Sequence, residues 1–116
     1  MLQQRYPEAI AAFKQAQELD RANIVVQLGL GQTYLAQGDY DKALTAMLTG
    51  LRPVGINYFW LSAAYAARGD KEKTLATLQK ALELGFNDFA ALDNSPYFFS
   101  LRADPRYQQL LRRYRK

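Results

Sequence analysis

The chain has 116 residues, 49% of them hydrophobic and 22% charged, an ordinary composition for one globular domain. It contains no cysteine and no histidine, which excludes disulfide bonds, thiolate nucleophiles, imidazole bases and the usual zinc ligands. No apolar run approaches the roughly 20 residues of a membrane helix, and the N-terminal stretch MLQQRYPEAI lacks the layout of a secretory signal. We therefore expect a cytoplasmic protein with no membrane partner.

The formal net charge of +4 is unevenly distributed along the chain. Residues 97–116 contain six Arg or Lys and one Asp, which gives +5, whereas residues 1–96 contain nine basic and ten acidic residues, which gives −1. The basic character therefore belongs to the C-terminal segment and not to the rest of the chain.

An internal repeat organises residues 6–81. The segment YPEAIAAFKQA (6–16) aligns with YDKALTAMLTG (40–50) at an offset of 34 residues, and KEKTLATLQKA (71–81) follows at a further offset of 31. Phe13, Met47 and Leu78 share one apolar position of the three copies. Apolar and small residues recur at spacings of three and four, which predicts one packed face on each of three helices.

A second kind of segment precedes the second and third copies. LGLGQTYLAQGD (28–39) matches FWLSAAYAARGD (59–70) in a Leu, a small residue, a Tyr and a final Gly-Asp pair. The Leu, the small residue and the Tyr lie on one helical face. Gly supplies the positive φ that ends one helix, and the Asp carboxylate accepts a free backbone N–H of the next helix. The pattern predicts a helix, a tight turn and a second helix.

These segments resemble the tetratricopeptide repeat family. The motifs that carry the resemblance are Leu30-Gly31-x-x-Tyr34, Gly38-x-Tyr40-x-x-Ala43 and Ala16-x-x-Leu19-Asp20. They cover roughly residues 1–85, as a partial repeat (1–22) and two further repeats (23–53 and 54–85). The resemblance implies an all-α fold, a right-handed α-solenoid of about 2.5 helix-turn-helix repeats that binds other proteins.

The first repeat is incomplete in this sequence, because Met1 falls late in the first helix of that repeat. The helix that contains Ile10 and Phe13 is therefore expected to have no N-terminal neighbour. Either the chain is a piece of a longer solenoid or something else covers this open edge, for which Ile10 and Phe13 are the candidate residues. A homodimer that assembles through the open edge is one alternative function.

Residues 86–116 lie beyond the repeats and are expected to form short capping helices. Gly85 predicts a helix C-terminus, and Ser95-Pro96 and Asp104-Pro105 each place an N-cap before a proline at the first helical position. The last repeat of a solenoid needs such a cap over its apolar face. The segment also resembles the end found after tetratricopeptide arrays in many multidomain bacterial proteins, which implies a terminal position in a regulatory or scaffold protein.

The basic end of the cap suggests a second alternative function, which is the binding of nucleic acid or of an acidic partner. Its cations are Arg102, Arg106, Arg112, Arg113, Arg115 and Lys116. Cations at a helix C-terminus also complement the helix dipole without any ligand, and the chain contains no known nucleic-acid motif. The sequence therefore favours a structural role for this basic tail over nucleic-acid binding.

No constellation of catalytic residues is recognisable. The acidic pairs Asp39/Asp41 and Asp70/Glu72 fall at predicted helix starts, where carboxylates cap backbone N–H groups, and they offer too few oxygen ligands for a metal ion. The glycines of residues 29–38 fall within or at the end of a predicted helix and form no phosphate loop. The sequence predicts a non-enzymatic protein without a metal ion or cofactor.

The remaining candidate site is a peptide groove. In tetratricopeptide arrays the first helix of each repeat lines a concave face, and peptides bind there. By position, the resemblance places these residues on that face: Val25, Leu28, Gln32, Leu35, Ile56, Phe59, Ala63 and Ala66. None of them is a Lys, Arg or Asn that could grip a terminal carboxylate, so an apolar peptide or helix is the expected partner. For Phe59 the sequence leaves groove and core equally open.

Overall fold

The computed structural model describes residues 6–19 and 23–115. Over these residues the protein is all-helical, with no strand, which confirms the predicted all-α fold class; the right-handed sense of the solenoid stays a prediction. The helices are α1 (Tyr6–Leu19), α2 (Ile24–Gln37), α3 (Tyr40–Thr49), α4 (Gly55–Arg68), α5 (Lys71–Glu83), α6 (Phe89–Asn94), a 3₁₀ helix (Pro96–Leu101) and α7 (Pro105–Tyr114).

The chain divides into two compact units, Met1–Arg52 and Pro53–Lys116. The first contains α1, α2 and α3, and the second contains α4 to α7 with the 3₁₀ helix. The predicted capping segment 86–116 lies within the second unit, where the 3₁₀ helix packs against α4 and α7 packs against α5. The predicted repeat boundaries 1–22, 23–53, 54–85 and 86–116 stay predictions.

The two Gly-Asp pairs form the predicted turns. Gly38 and Gly69 have φ of 90° and 89°, a left-handed conformation that costs glycine little and other residues more. The carboxylates of Asp39 and Asp70 then accept the backbone N–H groups of Lys42 and Lys73 at 3.3 and 3.2 Å. The α2–α3 and α4–α5 hairpins are therefore specified by local backbone chemistry.

The helices of the cap begin at the predicted N-caps. Ser95 accepts the N–H of Tyr97 at 3.3 Å, and Asp104 accepts the N–H of Arg106 at 2.9 Å. In each case a proline occupies the start of the helix, where its missing N–H leaves no hydrogen bond unmade.

In the first unit, close helix contacts depend on glycine. A Cβ at Gly29 would lie 2.5 Å from the ring of Phe13, and a Cβ at Gly31 would lie 2.5 Å from Cγ of Met47. Glycine at these two positions therefore lets α1 and α3 approach α2 closely. Around these contacts Leu30 and Leu44 are 3% and 4% exposed, and they form part of the apolar core.

The second unit has two buried layers. Between α4 and α5, Leu61 and Leu78 are almost completely buried. Thr74, which aligns with Ala9 and Ala43 of the first two copies, is also fully buried, and its hydroxyl donates to the backbone carbonyl of Asp70 at 2.6 Å. Because this bond satisfies the buried hydroxyl, threonine carries no desolvation penalty for an unpaired group at this position.

The second layer of this unit is aromatic. Phe59 of α4 stacks on Phe86, with ring centroids 4.5 Å apart, and lies 5.9 Å from Phe98 of the 3₁₀ helix. Phe98 in turn stacks on Tyr107 of α7 at 6.2 Å. Phe98 is fully buried and Tyr107 is 3% exposed, so this row of rings holds the cap against α4. Burial raises the pKa of the Tyr107 hydroxyl.

Candidate functional site

The predicted groove residues of α2 differ in exposure along the helix. Val25, Leu28, Gln32 and Leu35 lie on one helical face at intervals of three and four residues. Val25 is 72% exposed, Leu28 and Gln32 are half-buried, and Leu35 is 2% exposed. The N-terminal half of this face is therefore open to a partner, and its C-terminal end is closed.

The predicted groove residues of α4 are mostly buried. Ile56 is 42% exposed, whereas Phe59, Ala63 and Ala66 are all buried. The stack on Phe86 shows that Phe59 belongs to the core of the second unit. Of the two locations that the sequence left open for this residue, groove and core, the structure has the core. A groove surface made by Phe59, Ala63 and Ala66 is not available, because their side chains are already covered.

The two residues of the predicted open edge also differ from expectation. Phe13 points toward α2, since its ring lies where a Cβ of Gly29 would be, and it is therefore a packing residue within the first unit. Ile10 is half-buried. α1 as a whole contains no fully buried residue, and Leu19 at its C-terminus is 91% exposed. Phe13 is itself only partly buried, so the open edge stays a prediction for both Ile10 and Phe13.

The basic tail is partly occupied by intramolecular contacts. Arg106 donates to Glu72 at 2.6 Å and to Asp104 at 3.2 Å. Hydrogen bonds from the Arg106 side chain and backbone lower the pKa of Asp104, and the two carboxylates raise the pKa of Arg106. Arg106 therefore ties α7 to α5.

Arg115 has a similar structural role. Its guanidinium donates to Asp93 at 2.9 Å and lies 4.9 Å from the ring of Phe89, which ties the end of α7 to α6. Arg112 and Arg113 are exposed in the last turn of α7, where they complement the helix dipole. Lys116 lies outside the described residues. Binding of nucleic acid or of an acidic partner by this tail stays a prediction.

Comparison with protein families agrees with the helical architecture of the first unit. Residues 1–53 match the family model for the tetratricopeptide repeat. Residues 1–53, somewhat less than half of the chain, are therefore similar to tetratricopeptide repeats. Proteins of this family are generally protein–protein interaction modules and typically non-enzymatic scaffolds. No curated protein matches the chain.

The α2–α3 and α4–α5 hairpins share a contact that the sequence pattern did not predict. Lys42 Nζ lies 5.8 Å from the centroid of the Tyr34 ring, and Lys73 Nζ lies 5.6 Å from that of Tyr65. In both hairpins the lysine follows the N-cap Asp by three residues. The recurring spacing Tyr-x₇-Lys was therefore the available signal for this cation–π pair.

Arg102, one of the cations of the basic tail, makes several contacts within the second unit. Its guanidinium donates to the backbone carbonyls of Leu92 and Ser95 at 3.3 and 3.2 Å, and also to that of Asp93. It lies 4.1 Å from the ring of Phe99. The carbonyls of Leu92 and Asp93 belong to the last turn of α6, and Ser95 is its C-cap, whose carbonyl also accepts the N–H of Phe98 at 3.4 Å. Arg102 therefore caps the end of α6 from the far end of the 3₁₀ helix.

Among the described residues, no group of three His, Cys, Asp or Glu side chains is placed to hold a metal ion. Of the helices in the same residues, none is long and apolar enough to cross a membrane.

Proposed function

We propose that this tetratricopeptide-repeat protein is a non-enzymatic interaction module that binds an apolar peptide or helix on the exposed face of α2. We call this the α2 face and define it by Val25, Leu28 and Gln32. The observation that carries the proposal is the exposure of an apolar residue on this face. Val25, at the N-terminal end of the face, is 72% exposed, whereas Leu35, at its C-terminal end, is buried.

The chemistry of the α2 face suits an apolar partner. Val25 and Leu28 are aliphatic, and Gln32 offers a neutral amide that can donate and accept hydrogen bonds. Full burial of one aliphatic side chain contributes about 1.5–3 kcal/mol, so two such side chains provide a useful part of the binding free energy. An amphipathic helix that presents residues at i, i+3 and i+4 matches the spacing of this face.

The test begins with peptides selected from an amphipathic-helix display library against the wild-type chain. Affinities of the selected peptides are then measured by fluorescence anisotropy for Leu28→Glu and for a control, Leu48→Glu. Leu48 of α3 is 49% exposed and lies outside the α2 face, so the control introduces the same charge at another exposed leucine. We expect Leu28→Glu to abolish binding and Leu48→Glu to leave it unchanged, with the helical circular dichroism signal retained in both.

Equal affinity of wild type and Leu28→Glu for every selected peptide contradicts the proposal. Peptides that lose binding to Leu48→Glu instead place the interaction on α3. Val25→Glu repeats the test at the most exposed residue of the α2 face.

A second candidate, self-association through α1, is favoured by the 91% exposure of Leu19 and by the absence of fully buried residues on the described α1. Light scattering across a concentration series measures the molar mass directly. A dimer that becomes monomeric in Leu19→Lys and Ile10→Lys supports this candidate. A mass of 13.2 kDa at all concentrations leaves the α2 face as the proposed interaction surface.

A further inference from the structure

Gln32 is a polar residue within an otherwise aliphatic helical face. It follows Leu28 by four residues and precedes Leu35 by three, so the three side chains lie on one side of α2. Leu28 and Gln32 are half-buried, whereas Leu35 is 2% exposed. Gln32 is therefore the last residue of the α2 face that a partner can reach.

The side-chain amide of Gln32 has unused hydrogen-bonding capacity. It makes no hydrogen bond to any residue that the structure describes. The adjacent Thr33 differs, because its hydroxyl donates to the backbone carbonyl of Gly29 at 2.8 Å. Among the described residues no fully buried side-chain nitrogen or oxygen lacks a partner, so the Gln32 amide is accessible to solvent, which satisfies its donors and acceptor in the free protein.

A partner that covers Leu28 also covers Gln32. Side chains four residues apart on a helix have Cβ atoms about 5–6 Å apart, and a bound helix is about 10–12 Å wide. Such a helix displaces the solvent from the amide, and an amide that loses solvent without gaining another hydrogen-bond partner weakens binding. A wholly apolar contact surface therefore suits Val25 and Leu28 but does not suit Gln32.

The group that should face Gln32 is a neutral side chain. The helix Ile24–Gln37 contains no Asp, Glu, Lys or Arg, so a charged group of the partner would be desolvated there without a countercharge on α2. The backbone of a bound helix does not supply the group, because its interior N–H and C=O groups bond to one another. A carboxamide, which both donates and accepts, complements the N–H and the carbonyl of Gln32 at once.

We propose that the partner of the α2 face is a helix that carries an asparagine or glutamine opposite Gln32, next to apolar residues that cover Val25 and Leu28. The two carboxamides form a pair of hydrogen bonds in which each donates one N–H and accepts the other. The apolar contacts supply affinity, and the amide pair fixes the register of the helix and selects among apolar partners. This inference rests on the proposed function of the α2 face and adds the side chain that the partner presents.

The test selects helices from the amphipathic-helix display library, with carboxamide and aliphatic residues both allowed at each position of the apolar face. The selection targets are the full-length wild type and Gln32→Met. Methionine is an unbranched apolar side chain with a helix propensity close to that of glutamine, but it has no amide. Gln37→Met is the matched control, because Gln37 is exposed at the end of the same helix and lies outside the α2 face.

We expect helices selected on the wild type to share an asparagine or glutamine at one position, and helices selected on Gln32→Met to have an aliphatic residue there. Replacing the shared amide by methionine should weaken binding to the wild type by about five- to a hundredfold, as for a buried polar group left unpaired. Fluorescence anisotropy measures this change. The same replacement should not weaken binding to Gln32→Met, and Gln37→Met should behave as the wild type does.

Two outcomes overturn this inference. One is a set of selected helices without a shared amide that bind the wild type and Gln32→Met equally. The other is an equal loss of the amide preference in Gln32→Met and Gln37→Met, which indicates an effect not specific to the α2 face. Circular dichroism checks that each variant keeps its helices.

The variant Leu28→Glu separates the failure of this inference from the failure of the proposed function. If the selected helices show no amide preference but lose binding to Leu28→Glu, the α2 face remains the binding surface and only the amide pairing is wrong. If they bind Leu28→Glu as tightly as the wild type, or if the library yields no binder, the proposed function is wrong and this inference with it.

Discussion

The rings of Phe59 and Phe86 stack almost in parallel, with an interplanar angle of 14° and centroids 4.5 Å apart. Phe59 is on α4, and Phe86 follows the C-terminal glycine of α5, so the contact closes the α4–α5 hairpin. Phe98 then extends the stack to the 3₁₀ helix. The attachment of residues 86–116 to the α4–α5 hairpin therefore depends on Phe59, a ring that the sequence also allowed as part of a binding surface.

Replacement of Phe59 by alanine should strongly destabilise the second unit. The side chain is 4% exposed, and removing a buried phenylalanine typically costs about 3–5 kcal/mol through lost apolar burial and the cavity left behind. Urea unfolding followed by the fluorescence of Trp60, the single tryptophan of the chain, measures the change in the free energy of unfolding.

The matched control for this substitution is Phe99→Ala. Phe99 is 57% exposed and contacts the guanidinium of Arg102, so its loss should cost only about 0.5–1 kcal/mol. Equal unfolding midpoints for Phe59→Ala and the wild type would show that Phe59 is not a core residue and would restore it as a groove candidate.

Local features of the fold were predictable from the sequence, and long-range ones were not. Gly38-Asp39 specifies a turn because left-handed backbone and N-capping involve only neighbouring residues. The environment of Phe59 depends on Phe86 and Phe98, which lie far along the chain in a segment outside the repeat pattern. No periodicity in α4 alone indicates which of its aromatic residues those rings will cover.

The candidate surfaces were likewise predictable only where they depend on neighbouring residues of one helix. The helical face of Val25 and Leu28 follows from spacing alone, and the structure keeps both at least partly exposed. The groove that Lys14 and Lys42 line was not predicted, because the two residues come from different helices and only the packing of α1 and α3 against α2 brings them together. Arg102 was missed as a capping residue for the same reason, since its acceptors lie in another helix.

Replacement of Gly31 by valine should destabilise the first unit. A Cβ at this position would lie 2.5 Å from Cγ of Met47 and 3.3 Å from the carbonyl oxygen of Ala43, so α3 must move or Met47 must repack. Overpacking of this kind typically costs about 1–3 kcal/mol. Thermal unfolding followed by circular dichroism should show a lower midpoint for the variant.

Ala36→Val is the control for Gly31→Val, because Ala36 is exposed on the same helix and gains the same branched side chain. Its effect should be limited to the lower helix propensity of valine, about 0.7 kcal/mol or less. Because the change from glycine to valine by itself raises helix propensity, a Gly31→Val variant as stable as the wild type would contradict the close approach of α2 and α3.

Replacement of Arg102 by alanine should loosen α6 and the 3₁₀ helix. The guanidinium donates to the carbonyls of Leu92 and Ser95, and hydrogen bonds from a charged donor contribute about 1.5–3 kcal/mol. Amide hydrogen exchange should be faster at the end of α6 in the variant. Arg112→Ala removes an equal charge from the exposed surface of α7 and should leave exchange in α6 unchanged; faster exchange in both variants would indicate a general charge effect.

The N-cap of α7 should make the second unit sensitive to acid. Arg106 lowers the pKa of Asp104 below its usual value of 3.8. Because the pKa is lower in the folded state, the carboxylate stabilises the fold fully above the unfolded value and loses this contribution as pH falls through the folded one. The free energy of unfolding should therefore fall more steeply below about pH 4 in the wild type than in Asp104→Asn, which keeps an N-cap oxygen but does not titrate.

The measurement is a series of urea unfolding curves from neutral to acid pH for both proteins. We expect the stability difference between wild type and Asp104→Asn to be constant at neutral pH and to shrink as Asp104 becomes protonated. Asp41→Asn is the control, because Asp41 is an exposed carboxylate at the start of α3 in the first unit. A difference between wild type and Asp104→Asn that stays the same at every pH would show that the pairing of Arg106 with Asp104 does not stabilise the folded state.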